Sequence, residues 1–281
     1  MVNFYYFAYM YLCSKGVIKM AYVFHNRNEN EDKYNDLMNQ ANKVRNVGIG
    51  MIIELIAFSI FVPVSKLWLF VEGISIVVMI YLMYKHGNLM SEANILESGV
   101  SGENEVFDTL KYLPEEYVVA TNVPISCNGN RSEVDALVMS PYGMYVVEVK
   151  NHKGVIEGDV GDRVWKQYKN NGFDKTMRNP IRQMHNQKRI LFGINKSKRL
   201  SVPINGLVVF PSALEVNVEM NEVLNGVEKL NSIVMKKNRV RVNFDELCRV
   251  IKAYGIDVRE VSQMIHDFYR TNCPELLECI G

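Results

Sequence analysis

The hydrophobic pattern changes character near residue 100. Before it, two eighteen-residue runs, VGIGMIIELIAFSIFVPV (47–64) and LWLFVEGISIVVMIYLMY (67–84), are apolar almost throughout, and only Ser65 and Lys66 separate them. As helices each is about 27 Å long, close to the roughly 30 Å of a bilayer's hydrocarbon core. The pair predicts a two-helix transmembrane hairpin over 47–84. One acid interrupts each run, Glu54 and Glu72. A carboxyl at the bilayer centre costs on the order of 2.5–3.5 kcal/mol unless protonated or partnered, so a buried helical hairpin in a soluble oligomer stands as the alternative. Lys43 and Arg45 precede the first run and Lys85 and His86 follow the second, against Lys66 in the turn. That asymmetry places both ends in the cytoplasm, giving a multi-pass cell-membrane protein whose N-terminus and following domain are cytoplasmic.

The flanks of the hairpin are polar. Residues 1–46 read as an N-terminal segment, solvated from 20 onward. Ser14 to Met20 can be encoded by a purine-rich stretch resembling a bacterial ribosome-binding site, so translation is expected to begin at Met20, with 1–19 untranslated. Residues 85–100 read as a juxtamembrane linker. From 101 the periods shorten. SGENEVFDTLKYLP predicts a helix with Ser101 as N-cap and Val106, Leu110 and Leu113 on its buried face. SEVDALVMS (132–140) and YVVEVKN (145–151) predict strands joined by the turn SPYG, GLVVF (206–210) another buried strand, and FDELCRVIKAYG and DVREVSQMIHDFYR closing amphipathic helices. A globular domain over 101–215, with a further strand and helices over 216–281 packing on it, follows.

Composition adds two points. The formal net charge is only +1, yet 150–199 hold thirteen Lys or Arg against Glu157, Asp159, Asp162 and Asp174, which fits a polyanionic partner. The five cysteines form no C-x-x-C pair, which excludes a zinc knuckle and gives no disulfide framework.

The chemistry concentrates in YVVEVKN, where Glu148 and Lys150 occupy positions that a buried strand fills with apolar residues. A hairpin symmetric about Pro141 and Tyr142 sets Asp135 opposite Glu148 and Glu133 opposite Lys150, each pair sharing a face with Cβ atoms roughly 4.5–5.5 Å apart. Opposed carboxylates repel, and a divalent cation between them removes the conflict, since Mg²⁺ is held by one or two carboxylates with waters and phosphate oxygens. Lys150 could then orient a water or stabilise charge developing on a phosphate. A salt-bridged cluster pairing Glu133 with Lys150 is the alternative. Glu103, three residues before Val106, shares the buried face of its helix; it serves the same site or merely complements the helix N-terminus.

Asp135, then Glu148-Val149-Lys150 in the following strand, after a helix bearing Glu103, resembles the PD-(D/E)xK nucleases. With SGENEVFDTL, EVDALVMSPYGMYVVEVKNHKGVIEG, Trp165 and NPIRQMHNQKRIL, the stretch from Gly102 to Leu191 resembles the nuclease-related domain, NERD. Val134 stands where the superfamily's name has proline. The resemblance implies an α/β fold of restriction-endonuclease type, a mixed sheet flanked by helices. It also implies Mg²⁺- or Mn²⁺-dependent phosphodiester hydrolysis, with DNA ahead of RNA as partner. Asp135, Glu148 and the Val149 carbonyl would ligate the metal, Lys150 would be the catalytic lysine, and Glu103 the first-helix acid.

NPIRQMHNQKRIL reads as a helix capped by Asn179 with Pro180 at its first position and N–H groups suited to an anion. Gln183 and Gln187 lie one turn apart, and Gln183 is assigned to the catalytic site's edge, against a solvated polar face as the alternative. His185 is expected to be neither ligand nor base, and Trp165 to be core. The sequence thus predicts a membrane-tethered nuclease. A catalytically weak or inactive nuclease-fold domain, binding nucleic acid or a protein partner at the membrane, is the rival; a signalling or assembly role comes third.

Overall fold

The computed structural model describes residues 20–26, 28–61, 66–169, 172, 174–236 and 244–253, so the stretch 1–19 and the helix expected from 257 lie outside the described residues. The chain divides into two compact units, Asn28–Ser101, which is helical, and Met1–Arg27 with Gly102–Gly281, which is α/β.

The helical unit holds α1 (Glu29–Phe61) and α2 (Lys66–Leu110), whose last turns from Gly102 belong to the α/β unit. The Asn28 side chain caps α1 by accepting from the N–H groups of Asn30 and Glu31, and Glu29, Glu31 and Asp32 complement its positive end. The helices run antiparallel: Lys33 meets Glu92 at 3.1 Å, and Ser59 Oγ donates to Glu72 Oε1 at 3.5 Å. Among the described residues one helix, Trp68–Leu110, is long and apolar enough to cross a membrane, with none of its apolar stretch buried. The second expected crossing does not qualify. Its described part stops at Phe61, and extending it backward takes in Arg45 and Lys43 beside Glu54.

One local expectation gives way to the length of α2. Residues 85–100, the expected juxtamembrane linker, are helical throughout, and Ser101 sits mid-helix rather than at an N-cap. With no helix start at Ser101, a role for Glu103 in complementing one is removed.

The α/β unit is built on a six-stranded mixed sheet, ordered β1 (Tyr22–His25), β2 (Val118–Cys127), β3 (Asn130–Ser140), β4 (Gly143–Val149), β8 (Ile204–Phe210), β10 (Val223–Asn225). β2, β3 and β4 pair antiparallel, and β1, β8 and β10 join in parallel. β1 comes from the segment expected to be solvated. Four residues, YVFH, carry too short a pattern to announce a strand whose partner lies nearly a hundred positions away.

Both faces of the sheet are covered, which is why its strands read as nearly continuous apolar runs. On one face Leu137, Met139, Met144, Val146 and Phe210 pack against α3 (Pro180–Lys198) and α5 (Phe244–Ala253). On the other, Ala136, Val138, Val147, Val149 and Val209 pack against the end of α2 and against α4 (Leu230–Val234). A smaller sheet, ordered β7 (Lys175–Arg178), β6 (Val164–Tyr168), β5 (Gly154–Glu157), β9 (Ala213–Asn217), contributes Ile156 and Trp165 to the first core. Trp165 is fully buried as expected, and its Nε1 donates to the Asp159 carbonyl at 2.9 Å.

Candidate functional site where β3 and β4 part

The β3–β4 ladder runs from Ser140↔Gly143 to Ala136↔Val147, the register the sequence predicts. The next rung would set Asp135 against Glu148, but the strands separate there. On the other side the β2 register passes from Thr121↔Ala136 to Val123↔Val134, with Asn122 in the left-handed region at φ 50°. Asp135 therefore stands at a break in both ladders. Its Oδ2 accepts the Val149 N–H at 2.7 Å, replacing the ladder acceptor that a continuing β3 would have offered. The N–H and C=O of one strand residue point the same way, so the Val149 carbonyl is directed toward the same gap.

Glu148 follows Met144 and Val146 on the face covered by α3, and its side chain is fully buried. Lys150 Nζ donates to its Oε1 at 2.5 Å and Gln187 Nε2 to its Oε2 at 2.7 Å. Gln187 also donates to the Glu133 carbonyl at 2.8 Å, tying α3 to β3 beside the break. Close approach of α3 depends on Gly206 in β8, where any Cβ would collide with Met184 Sδ. The partner of Lys150 is thus Glu148; Glu133 pairs with Pro124 in β2 and presents an exposed side chain.

The electrostatics follow from crowding carboxylates where water is scarce. Burial, then the Glu148 carboxylate, holds the Asp135 pKa well above the usual carboxylate value, despite the opposing help of Lys150 and the Val149 N–H. Burial works against the Lys150 ammonium, but Glu148, Asp135 and Glu103 outweigh it and raise its pKa. Glu103 also raises Asp135, so it belongs to this cluster although α2 covers the opposite face of the sheet. Burial and the Lys150 charge lower the pKa of His152.

α3 presents its two glutamines differently. Gln183 is exposed, whereas Gln187, fully buried, is the glutamine that reaches the carboxylates. The signal was present: Met184, Gln187 and Leu191 recur at helical spacing, putting Gln187 on the apolar stripe. The start of α3 is capped by Asn179 as expected. Asn179 Oδ1 caps the Ile181 N–H while its Nδ2 binds the carbonyls of Asp159, Val160 and Asp162, and Arg182 donates to Gly161.

Among the described residues no three His, Cys, Asp or Glu side chains form a ligand set by themselves. Two carboxylates and a backbone carbonyl nonetheless make a hard, all-oxygen donor group of the kind that suits Mg²⁺ or Mn²⁺.

Residues 98–211 match the family model of NERD, the nuclease-related domain, a span that includes Glu103, Asp135, Glu148, Lys150 and Gln187. No curated protein and no solved structure matches the chain.

Proposed function

We propose that the α/β unit hydrolyses nucleic-acid phosphodiester bonds, DNA before RNA, with Mg²⁺ or Mn²⁺, at the cytoplasmic face of the cell membrane. The carrying observation is a fully buried Glu148 fixed by Lys150 and Gln187 beside Asp135, inside the stretch that matches a nuclease-related domain. Asp135, Glu148 and the Val149 carbonyl would hold the metal, which when bound polarises phosphate and activates water. Gln187 fixes the Glu148 carboxylate, and Glu103 adds negative charge behind Lys150. Lys150, held on Glu148 Oε1, would donate to water or to a phosphate oxygen as charge develops.

The test uses the full-length chain in mild detergent, because a fragment starting after the helical unit would lack β1, the edge strand of the main sheet. Plasmid, linear DNA and RNA are incubated with Mg²⁺, Mn²⁺ or EDTA, beside Glu148→Ala. Metal-dependent cleavage lost in Glu148→Ala is expected; cleavage that persists in EDTA or in the variant overturns the reading.

One observation favours the rival: both Glu148 oxygens already have partners, as in a domain that binds nucleic acid or a protein without cutting. Salt-sensitive DNA binding with no cleavage under any metal would select it.

Membrane anchoring rests on apolar exposure in the helical unit. Ile60, Phe70, Val77 and Met83 are each at least 66 % exposed, an arrangement that water penalises and lipid does not. We take α2 as one crossing and, although the described part of α1 falls short of a span by itself, α1 as its companion in the bilayer, tied to α2 at Ser59 and Glu72. Resistance of the full-length protein to carbonate extraction is the expected result, and its release would remove the anchor.

A further inference from the structure

The helical unit contains a groove that neither hydrolysis nor anchoring requires. It has a volume of 290 Å³ and lies between α1 and α2, lined by Val44, Arg45, Gly48, Ile49 and Ile52 on one side and Met79, Leu82, Met83 and His86 on the other. Its chemistry is divided by depth. Arg45 and His86 stand at one end, next to the outer limits of the apolar runs at 47 and 84, and the remaining lining side chains are apolar. No acid lines it. Space is free at Gly48, where an added Cβ would meet nothing within 4 Å.

A cationic mouth over an apolar slot matches a molecule with an anionic head and a hydrocarbon tail. We propose that this groove is a binding site for an anionic phospholipid, with the Arg45 guanidinium and a His86 N–H on the phosphate and one acyl chain along Ile49, Ile52, Met79 and Met83. Charge decides the occupant. A second copy of the chain would bring its own Lys43, Arg45 and Lys85 to the same level, whereas an anionic headgroup neutralises them. Planar guanidinium is also suited to bidentate phosphate contact. Basic residues at the cytoplasmic end of a membrane helix and anionic lipid in that leaflet attract each other further. The inference rests on the membrane anchoring proposed above and adds to it a selectivity that anchoring alone does not need.

The test is flotation of the full-length protein with phosphatidylcholine vesicles and with vesicles containing phosphatidylglycerol, together with mass-spectrometric identification of lipid retained after detergent purification. Wild type is expected to float with both, to favour the anionic vesicles, and to retain phosphatidylglycerol. Arg45→Gln should cut retention about fivefold, as expected for one cation near an anionic surface. Gly48→Phe, which fills the groove where space is free, should abolish retention while flotation with phosphatidylcholine persists. Flotation with both vesicles but equal retention in wild type and both variants overturns the lipid site alone. Failure to float with either vesicle overturns the anchoring and the site together, and a dimer that Gly48→Phe dissociates would assign the groove to a second copy instead.

Discussion

The helical unit and the α/β unit break the same rule in opposite directions. Apolar side chains belong inside and charges outside. In the helical unit, large apolar residues cover the outside; in the α/β unit, a glutamate is buried at the centre of a sheet. Each anomaly has a physical condition under which it is tolerated. Exposed isoleucine and phenylalanine are stable where lipid replaces water, and buried Glu148 is tolerable because Lys150 and Gln187 satisfy it. The proposed function is argued from these two places, the buried glutamate and the exposed apolar helices.

The largest expected effect lies in the α/β unit. Lys150→Ala removes the ammonium that faces both Asp135 and Glu148, and cleavage should fall roughly 10²–10³-fold, as for other single donors to developing charge. A steady-state assay at saturating Mn²⁺ checks it; an unchanged rate would make the buried ion pair purely structural. Glu148→Gln keeps the shape but removes the charge, and loss of a charge-assisted bond should destabilise the fold by about 1.5–3 kcal/mol, measured by denaturant titration. Gln187→Ala strips Glu148 Oε2 and the Glu133 carbonyl of a donor, costing ~1–3 kcal/mol, while exposed Gln183→Ala stays within about 0.5 kcal/mol. Equal effects at the two glutamines would contradict the α3 assignment.

The smallest effect has the opposite sign. A group whose pKa is raised on folding adds most to stability below its unfolded value, here 3.8, and loses that contribution as pH rises through the folded value. Metal-free wild type should therefore lose stability as pH rises above the usual carboxylate range. Asp135→Asn should flatten that dependence and stabilise the metal-free protein by about 0.2–1 kcal/mol near neutral pH. Melting temperatures across pH in EDTA decide it.

What was legible in the sequence follows the range of the interactions. Glu148 and Lys150 stood out because charges in an apolar strand violate a two-residue period, and the SPYG turn fixed the register through Ala136↔Val147. Past that rung, prediction by symmetry failed. The strands part at Asp135, and the polarity of Asn122 on a third strand gave no sign of it. Ser101 followed by glutamates looks like a helix start, but α2 runs through it because a cap is only a local preference. β1 was missed because its hydrogen bonds reach Val118 to Thr121. Gln187 was legible from the Met184–Leu191 stripe alone.

The central claim is that Asp135 and Glu148 share a divalent cation that Lys150 does not ligate. Calorimetric Mn²⁺ titration of the full-length protein in detergent, beside Asp135→Asn, Glu148→Gln and Lys150→Ala, tests it most directly. Wild type and Lys150→Ala are expected to bind Mn²⁺, and both carboxylate variants are not. Carboxylate variants that bind Mn²⁺ as wild type does would contradict it.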